Sequence, residues 1–283
     1  MILTVLGYRR PEVFLQTCEA LLECRGVDRY TIHVFVDSYK DAKPFKFQFL
    51  ENLREDNEKT VECAKSLVER HPSIHLHLAP TNYGITKMTD WCSKVAFASS
   101  EFWTHWEEDI FPMKDALEFL DWGQNMLKTH PHILQALAYG HGKYKPNNEN
   151  KALIYCGFCP WAFTIHKSHQ KTVNAILSDH LIVMPTWDSM LNNLCKIRKL
   201  CFLLPAVSRV DKIPGDNRSM HEWRSQPRDK SDLFGCEKQN FQVAERSMEA
   251  LNGWGNMGEE EKSGWDCQSR KKVYEEMFDD GMW

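Results

Sequence analysis

Residues 102–122 read FWTHWEEDIFPMKDALEFLDW, and the rest of the chain is organised around them. Phe102, Trp103 and Trp106 have the apolar density of a buried strand, and that strand runs into Glu107, Glu108 and Asp109. A short apolar turn follows at Ile110-Phe111-Pro112. A helix comes next, with Ala116, Leu117, Phe119 and Leu120 on its inner face. An acid triplet at the C-terminal end of a strand sits where open α/β sheets place their ligands. Three consecutive carboxylates repel one another unless a positive charge is shared between them. A hard divalent cation with oxygen ligands supplies such a charge, and it often holds substrate phosphates as well. The other reading is a solvated acidic turn before a helix N-terminus, where negative side chains favour the dipole.

Upstream of this stretch, strand and helix alternate. Met1 to Leu6 is an apolar strand, Gly7-Tyr8-Arg9-Arg10-Pro11 a turn, and Glu12 to Cys24 a helix. Tyr30 to Val36 is a second strand closed by Asp37. Asn57 to Arg70 is an amphipathic helix and Ile74 to Leu78 a third strand. Asn82-Tyr83-Gly84 makes a turn before a helix over Ile85 to Ser99. The βαβαβαβ order calls for a mostly parallel sheet with helices on both faces.

Downstream, Ala116 to Thr129 is helical, Leu134 to Tyr139 is a strand, and residues 141–151 form a polar loop. Residues 152–165 are apolar and aromatic around Cys156-Gly157-Phe158-Cys159-Pro160-Trp161. Helices are expected over Ser168 to Leu177 and Trp187 to Ile197, with a strand over Cys201 to Val207. From Arg209 the chain turns polar. Residues 1–227 form the expected domain, and 228–283 a helical and irregular extension packing on it.

Charged residues at 26% and hydrophobic residues at 42% are ordinary for a globular protein. A net charge of −4 gives no support to a broad electrostatic grip on nucleic acid. No stretch approaches the roughly 20 apolar residues that span a bilayer. The opening residues do not read as a signal peptide, so a cytoplasmic protein, bacterial or viral, is expected. The ten cysteines then read as free thiols. Cys156, Cys159, Cys195 and Cys201 have the number for a zinc site, but buried thiols fit their apolar setting better. Trp91, Trp103 and Trp106 read as core, and Trp161, Trp187 and Trp223 as surfaces for stacking sugar rings or bases.

In order, these segments resemble the GT-A nucleotide-sugar-dependent glycosyltransferases. The opening strand followed by Tyr8-Arg9-Arg10-Pro11 resembles the first strand and polar-Arg-Pro turn of that family. Val34-Phe35-Val36-Asp37 resembles its second strand, Asn82-Tyr83-Gly84 its Asn-x-Gly segment, and Glu107-Glu108-Asp109 its acidic motif. The pattern EEDIFPMKDALEFL is most similar to the N-acetylglucosaminyltransferase I type. Gly157 to Trp161 resembles its Gly-x-x-Trp segment with one residue more, and Thr186-Trp187-Asp188-Ser189 its Trp-Asp-Asp segment with Ser189 replacing the second acid.

The resemblance implies an α/β GT-A sheet and transfer of a hexosyl or N-acetylhexosaminyl group from a UDP-sugar, with inversion. It implies Mn²⁺ or Mg²⁺ at Asp109, assisted by His221. Tyr8, Arg10, Asp37, Glu107, Glu108 and Trp161 would bind the donor, with Asp37 facing the base. Asp188 would be the general base, or else cap the helix that follows it. The acceptor is left open between a hydroxymethylated base in DNA, a bacterial glycan and a protein. A non-catalytic carbohydrate- or nucleic-acid-binding protein on the same scaffold is the alternative.

Overall fold

A computed structural model of the chain describes residues 1–42, 52–140, 150–178 and 187–213, together with the backbone of 242–243. The expected extension at 228–283 lies outside the described residues except for that last pair, as do the domain boundary, His221 and Trp223.

The first half follows the alternation expected of it. β1 (Ile2–Gly7), α1 (Pro11–Leu22), β2 (Thr31–Val36), α2 (Leu53–Arg70), β3 (Ile74–Leu78), α3 (Gly84–Ser99) and β4 (Phe102–Trp106) succeed one another. Strands β1 to β4 are all parallel, in the spatial order β4-β1-β2-β3. The chain therefore runs outward from β1 to β3 and returns to the other side of β1 to lay down β4. The ends of β1 and β4 thus form a topological switch point, the crevice where open α/β sheets take ligands.

β5 (Ile110–Pro112), α4 (Ala116–Thr129), β6 (Ile133–Leu137), β7 (Lys151–Cys156) and β8 (Phe163–His166) come next. They are followed by α5 (Gln170–Leu177), α6 (Trp187–Arg198), β9 (Cys201–Pro205), β10 (Val210–Lys212) and β11 (Gln242–Val243). The main sheet has nine strands, in the order β11-β7-β9-β6-β8-β4-β1-β2-β3. β8 is antiparallel to both β4 and β6, and β7 is antiparallel to β9. The remaining pairs are parallel, so the sheet is mixed and mostly parallel, as expected.

Side chains alternate between two cores. Leu3, Val5, Phe102 and Trp106 meet α1, α2 and α4 on one face, whereas Ile2, Leu6 and Trp103 meet α3, α5 and α6 on the other. Each core is apolar and close to fully buried, which gives the sheet its main drive to fold. Gly123 lets α4 lie close on β6, since a Cβ there would come within 2.5 Å of the Ala136 Cβ.

The structure revises three expectations. The turn 110–112 is a strand, β5, paired antiparallel with β10 in a second small sheet. Arg209, where the chain is expected to turn polar, is buried, as are Ser208 and Val210 beside it. Trp187 is 4% exposed and packs edge-on against Phe158 with ring centres 5.3 Å apart, so it belongs to the core and not to a stacking surface. None of the helices among the described residues is long and apolar enough to cross a membrane.

Candidate active site

The Tyr8-Arg9-Arg10-Pro11 turn is built by proline. Pro11 occupies the first turn of α1, where its missing N–H costs nothing, and it keeps Arg10 out of helical geometry (φ −123°, ψ 73°). Arg10 is thereby aimed at the end of β4. Its Nε donates to Glu108 Oε1 at 2.7 Å and its Nη1 to Asp109 Oδ2 at 3.1 Å. The Tyr8 amide donates to the other oxygen of Glu108 at 2.7 Å, and Thr17 Oγ1 to the Glu108 carbonyl at 2.7 Å. Glu108 is consequently turned inward and buried, joining β1 to β4. Burial raises its pKa, and Arg10 opposes that shift. Burial alone would lower the Arg10 pKa, but the paired carboxylates outweigh it and the net shift is upward.

Asp109 is also buried, and Lys212 from β10 stands beside it, Nζ 3.5 Å from Oδ2. The Ile213 amide donates to the Asp109 carbonyl at 2.9 Å. Lys212 also lies 5.3 Å above the ring centre of Trp161, which packs edge-on against Tyr139 at 4.7 Å. The positive charge shared by the acid triplet is therefore supplied in part by the chain itself.

Glu107 is half-buried and is the acid of the triplet most open to the crevice. Its carboxyl is pushed up to about 8, first by burial and then by Asp109, against the pull of Lys212 and Arg10. Asp188, at the start of α6, raises it further. Asp188 lies within the first turn of α6, after the buried Trp187. Burial pushes the Cys159 thiol up to about 12, with Glu107 and Asp188 adding to the shift.

Asp37 ends β2 beside this crevice. Its two oxygens accept the amides of Ser38 (2.8 Å), Tyr83 (2.8 Å) and Gly84 (2.9 Å) and the side-chain amide of Asn82 (3.2 Å). A carboxylate has about four acceptor sites, so these donors use its whole capacity. The expected hydrogen bond from Asp37 to a base would have to displace one of them. Asp37 caps the start of α3 from a neighbouring strand, and Gly84, at φ +70°, supplies the left-handed residue the turn requires.

Two side chains at this site were missed by sequence reasoning. Asn57, buried inside α2, donates to the carbonyls of Tyr8 and Asp37 and so ties the ends of β1 and β2 together. A buried amide within a charged helix carries no local signal of such a role. Lys212 could be placed only by the pairing of β10 with β5. Of the expected site residues, Tyr8, Arg10, Glu107, Glu108, Asp109 and Trp161 come together, Asp37 borders them, Asp188 lies in the first turn of α6, and His221 lies outside the described residues.

The chain offers a hard divalent cation a limited but suitable set of donors. Such an ion takes one or two protein carboxylates and completes its shell with phosphate oxygens and water. Asp109 and Glu107 are the carboxylates available for that purpose. Among the described residues no three His, Cys, Asp or Glu side chains form a closed metal centre.

No protein-family model matches the chain, and no curated protein matches it. Solved structures similar to it include TarS 1-349 of S. aureus, at 12% identity and a TM-score of 0.47, covering 76% of this chain and 61% of that one. The same protein in complex with UDP-GlcNAc is similar at 14% identity and a TM-score of 0.46, over 78% and 60%. The mannosyltransferase PcManGT of Pyrobaculum calidifontis, in complex with GDP-Man and Mn²⁺, is similar at 12% identity and a TM-score of 0.46, over 73% and 53%. The chain spans about half to three-fifths of the length of these three structures.

Proposed function

We propose that the chain is a GT-A-type glycosyltransferase that takes a nucleotide sugar, with UDP as the nucleotide, and transfers its hexosyl or N-acetylhexosaminyl group to a hydroxyl acceptor with inversion. One observation carries the reading. Three consecutive carboxylates, Glu107, Glu108 and Asp109, meet two cations, Arg10 and Lys212, at the switch point of the sheet. Once Glu107 gives up the proton it holds to about pH 8, the surplus there is negative. A diphosphate can enter only together with further positive charge, and a divalent cation provides it. Asp109 and Glu107 are the residues that would hold Mn²⁺ or Mg²⁺. When bound, such an ion neutralises the departing diphosphate as a Lewis acid.

The protein's own groups divide the remaining work. Arg10 and Glu108 fix the first turn of α1 against the end of β4, so that Asp109 is presented at a set position. Asp37 and Asn57 shape the rim where the nucleotide base would lie, with Tyr8 beside it. Asp188 is the proposed general base, accepting the proton of the acceptor hydroxyl as the new glycosidic bond forms. Trp161 offers a partly buried aromatic face for a sugar ring. The acceptor is a hydroxymethylated base in DNA, a bacterial glycan or a protein.

The test is hydrolysis of a panel of UDP- and GDP-sugars with Mn²⁺, Mg²⁺ or EDTA, comparing the wild type with Asp109→Ala. Metal-dependent release of UDP from one sugar, lost in the variant, supports the reading and names the donor. Failure to bind or turn over any nucleotide sugar with any metal sinks it. A non-catalytic binding protein on this scaffold would then take its place.

A further inference from the structure

The two cations at the acid triplet are held differently. Arg10 is a planar fork committed at 2.7 Å to Glu108 and at 3.1 Å to Asp109; its side chain and that of Lys212 are equally buried, so the difference lies in their bonding. Turning it away would strand a buried carboxylate, which is costly. Lys212 stands at 3.5 Å from Asp109, beyond the roughly 2.7–2.9 Å of a charge-assisted hydrogen bond. Its ammonium lies between that carboxylate and the face of Trp161, on a flexible four-carbon stem.

The backbone that carries Lys212 is fixed. Lys212 pairs with Ile110 in the small sheet, and the next amide is bonded to the Asp109 carbonyl. Arg209, one residue before β10, is buried in an ion pair with Asp115 at 2.7 Å, and its carbonyl accepts the Met113 amide at 2.9 Å. A rigid strand therefore delivers a loosely bonded charge to the acid triplet.

We infer that Lys212 is the diphosphate-contacting residue, its ammonium turning from Asp109 onto a phosphate oxygen when the nucleotide binds. The inference rests on the transferase reading and adds to it a residue that no local motif marks. The exchange forfeits a long ion pair, gains a short one to a phosphate, and leaves Asp109 Oδ2 to Arg10. Arg10 meanwhile stays in place and keeps the triplet from flying apart.

Inorganic pyrophosphate is the probe, because it carries the diphosphate charge without requiring a particular base or sugar. Calorimetric titration of the full chain in Mg²⁺ should show Lys212→Met binding roughly ten- to a hundredfold more weakly than wild type. Lys212→Arg should restore most of the affinity, and melting temperatures should match throughout. In wild-type protein labelled with carbon-13 lysine, the Lys212 side-chain NMR signal should shift on adding pyrophosphate, a readout that needs no variant to fold. Equal affinity in wild type and Lys212→Met, or an unmoved Lys212 signal with pyrophosphate bound, overturns the Lys212 role and leaves the transferase reading intact. A wild-type chain that binds neither pyrophosphate nor any nucleoside diphosphate overturns both.

Discussion

Arg10 Nε and Glu108 Oε1 lie 2.7 Å apart with both side chains largely buried, so the turn after β1 and the end of β4 are joined by an ion pair shielded from water. The contact links residues far apart in sequence but adjacent at the switch point. It is a fixed part of the scaffold on which the more open acid, Glu107, is displayed.

Removing one partner of this pair should be far worse than removing both. Arg10→Met leaves Glu108 buried with only the Tyr8 amide on its carboxylate, and a loss of about 3 kcal/mol is expected. Arg10→Met combined with Glu108→Gln should recover more than half of that loss. Urea unfolding of the two single variants and the double variant checks the prediction. Strictly additive losses would mean that the pair is not coupled.

Asp37→Asn keeps the shape of the side chain but turns an NH₂ toward amides that need an acceptor. Stability should fall by about 2 kcal/mol, the order of a lost hydrogen bond to a charged group. Hydrogen exchange should quicken at Tyr83 and Gly84 while the α1 amides keep their protection. Unchanged exchange at those two residues would refute the capping role.

His105 should make the fold acid-sensitive. It is fully buried, Nδ1 shares a hydrogen bond with Thr4 Oγ1 at 2.9 Å, and burial lowers its pKa to about 3. In the unfolded chain an ordinary histidine titrates near 6.5. Between these values the unfolded state binds more protons, so stability is present above about pH 6.5 and is lost as the pH falls. The slope is on the order of 1 kcal/mol per pH unit for one such group. His33 acts in the same direction, lowered to about 4 by burial and by His77 and His75. The difference between wild type and His105→Phe isolates the His105 part, and the variant's stability should be flatter from pH 7 to 5.

Asp188→Asn should separate transfer from donor binding. Transfer to an acceptor should fall by about a hundred- to ten-thousandfold, the usual worth of a general base. The KM for the donor should stay within about twofold, because uniform binding is untouched. A matching rise in donor KM would instead place Asp188 in the donor pocket.

The parallel half of the fold was legible because its signals are local. A dense apolar run, a polar turn and a helix of period 3.6 repeat with little interruption from Ile2 to Trp106, and proline marks the start of α1. Helix α2 begins at Leu53, a turn before the expected Asn57, because its first residues are charged and the apolar stripe starts late. The antiparallel strands and the β5–β10 pair depend on contacts between distant segments, which periodicity does not report. The same division holds at the site. The acid triplet, Arg10 and Asp188 sit in recognisable runs of residues, whereas Lys212 and Asn57 gain their positions only through the fold. Trp187 misled because a tryptophan beside a carboxylate has the same composition in a stacking surface as in a core.

The strand that carries Lys212 has a consequence for how the protein is made. On a ribosome adding ~5–20 residues per second, β4 and its acids emerge many seconds before β10. Through that interval Arg10 is the one of the two charges at the triplet already synthesised, and the edge of β5 has no partner. A nascent chain halted before β10 would carry an incompletely balanced cluster of carboxylates beside an unsealed strand. Maturation of the site is thus timed by the last described strand of its own small sheet, after most of the large sheet has been synthesised.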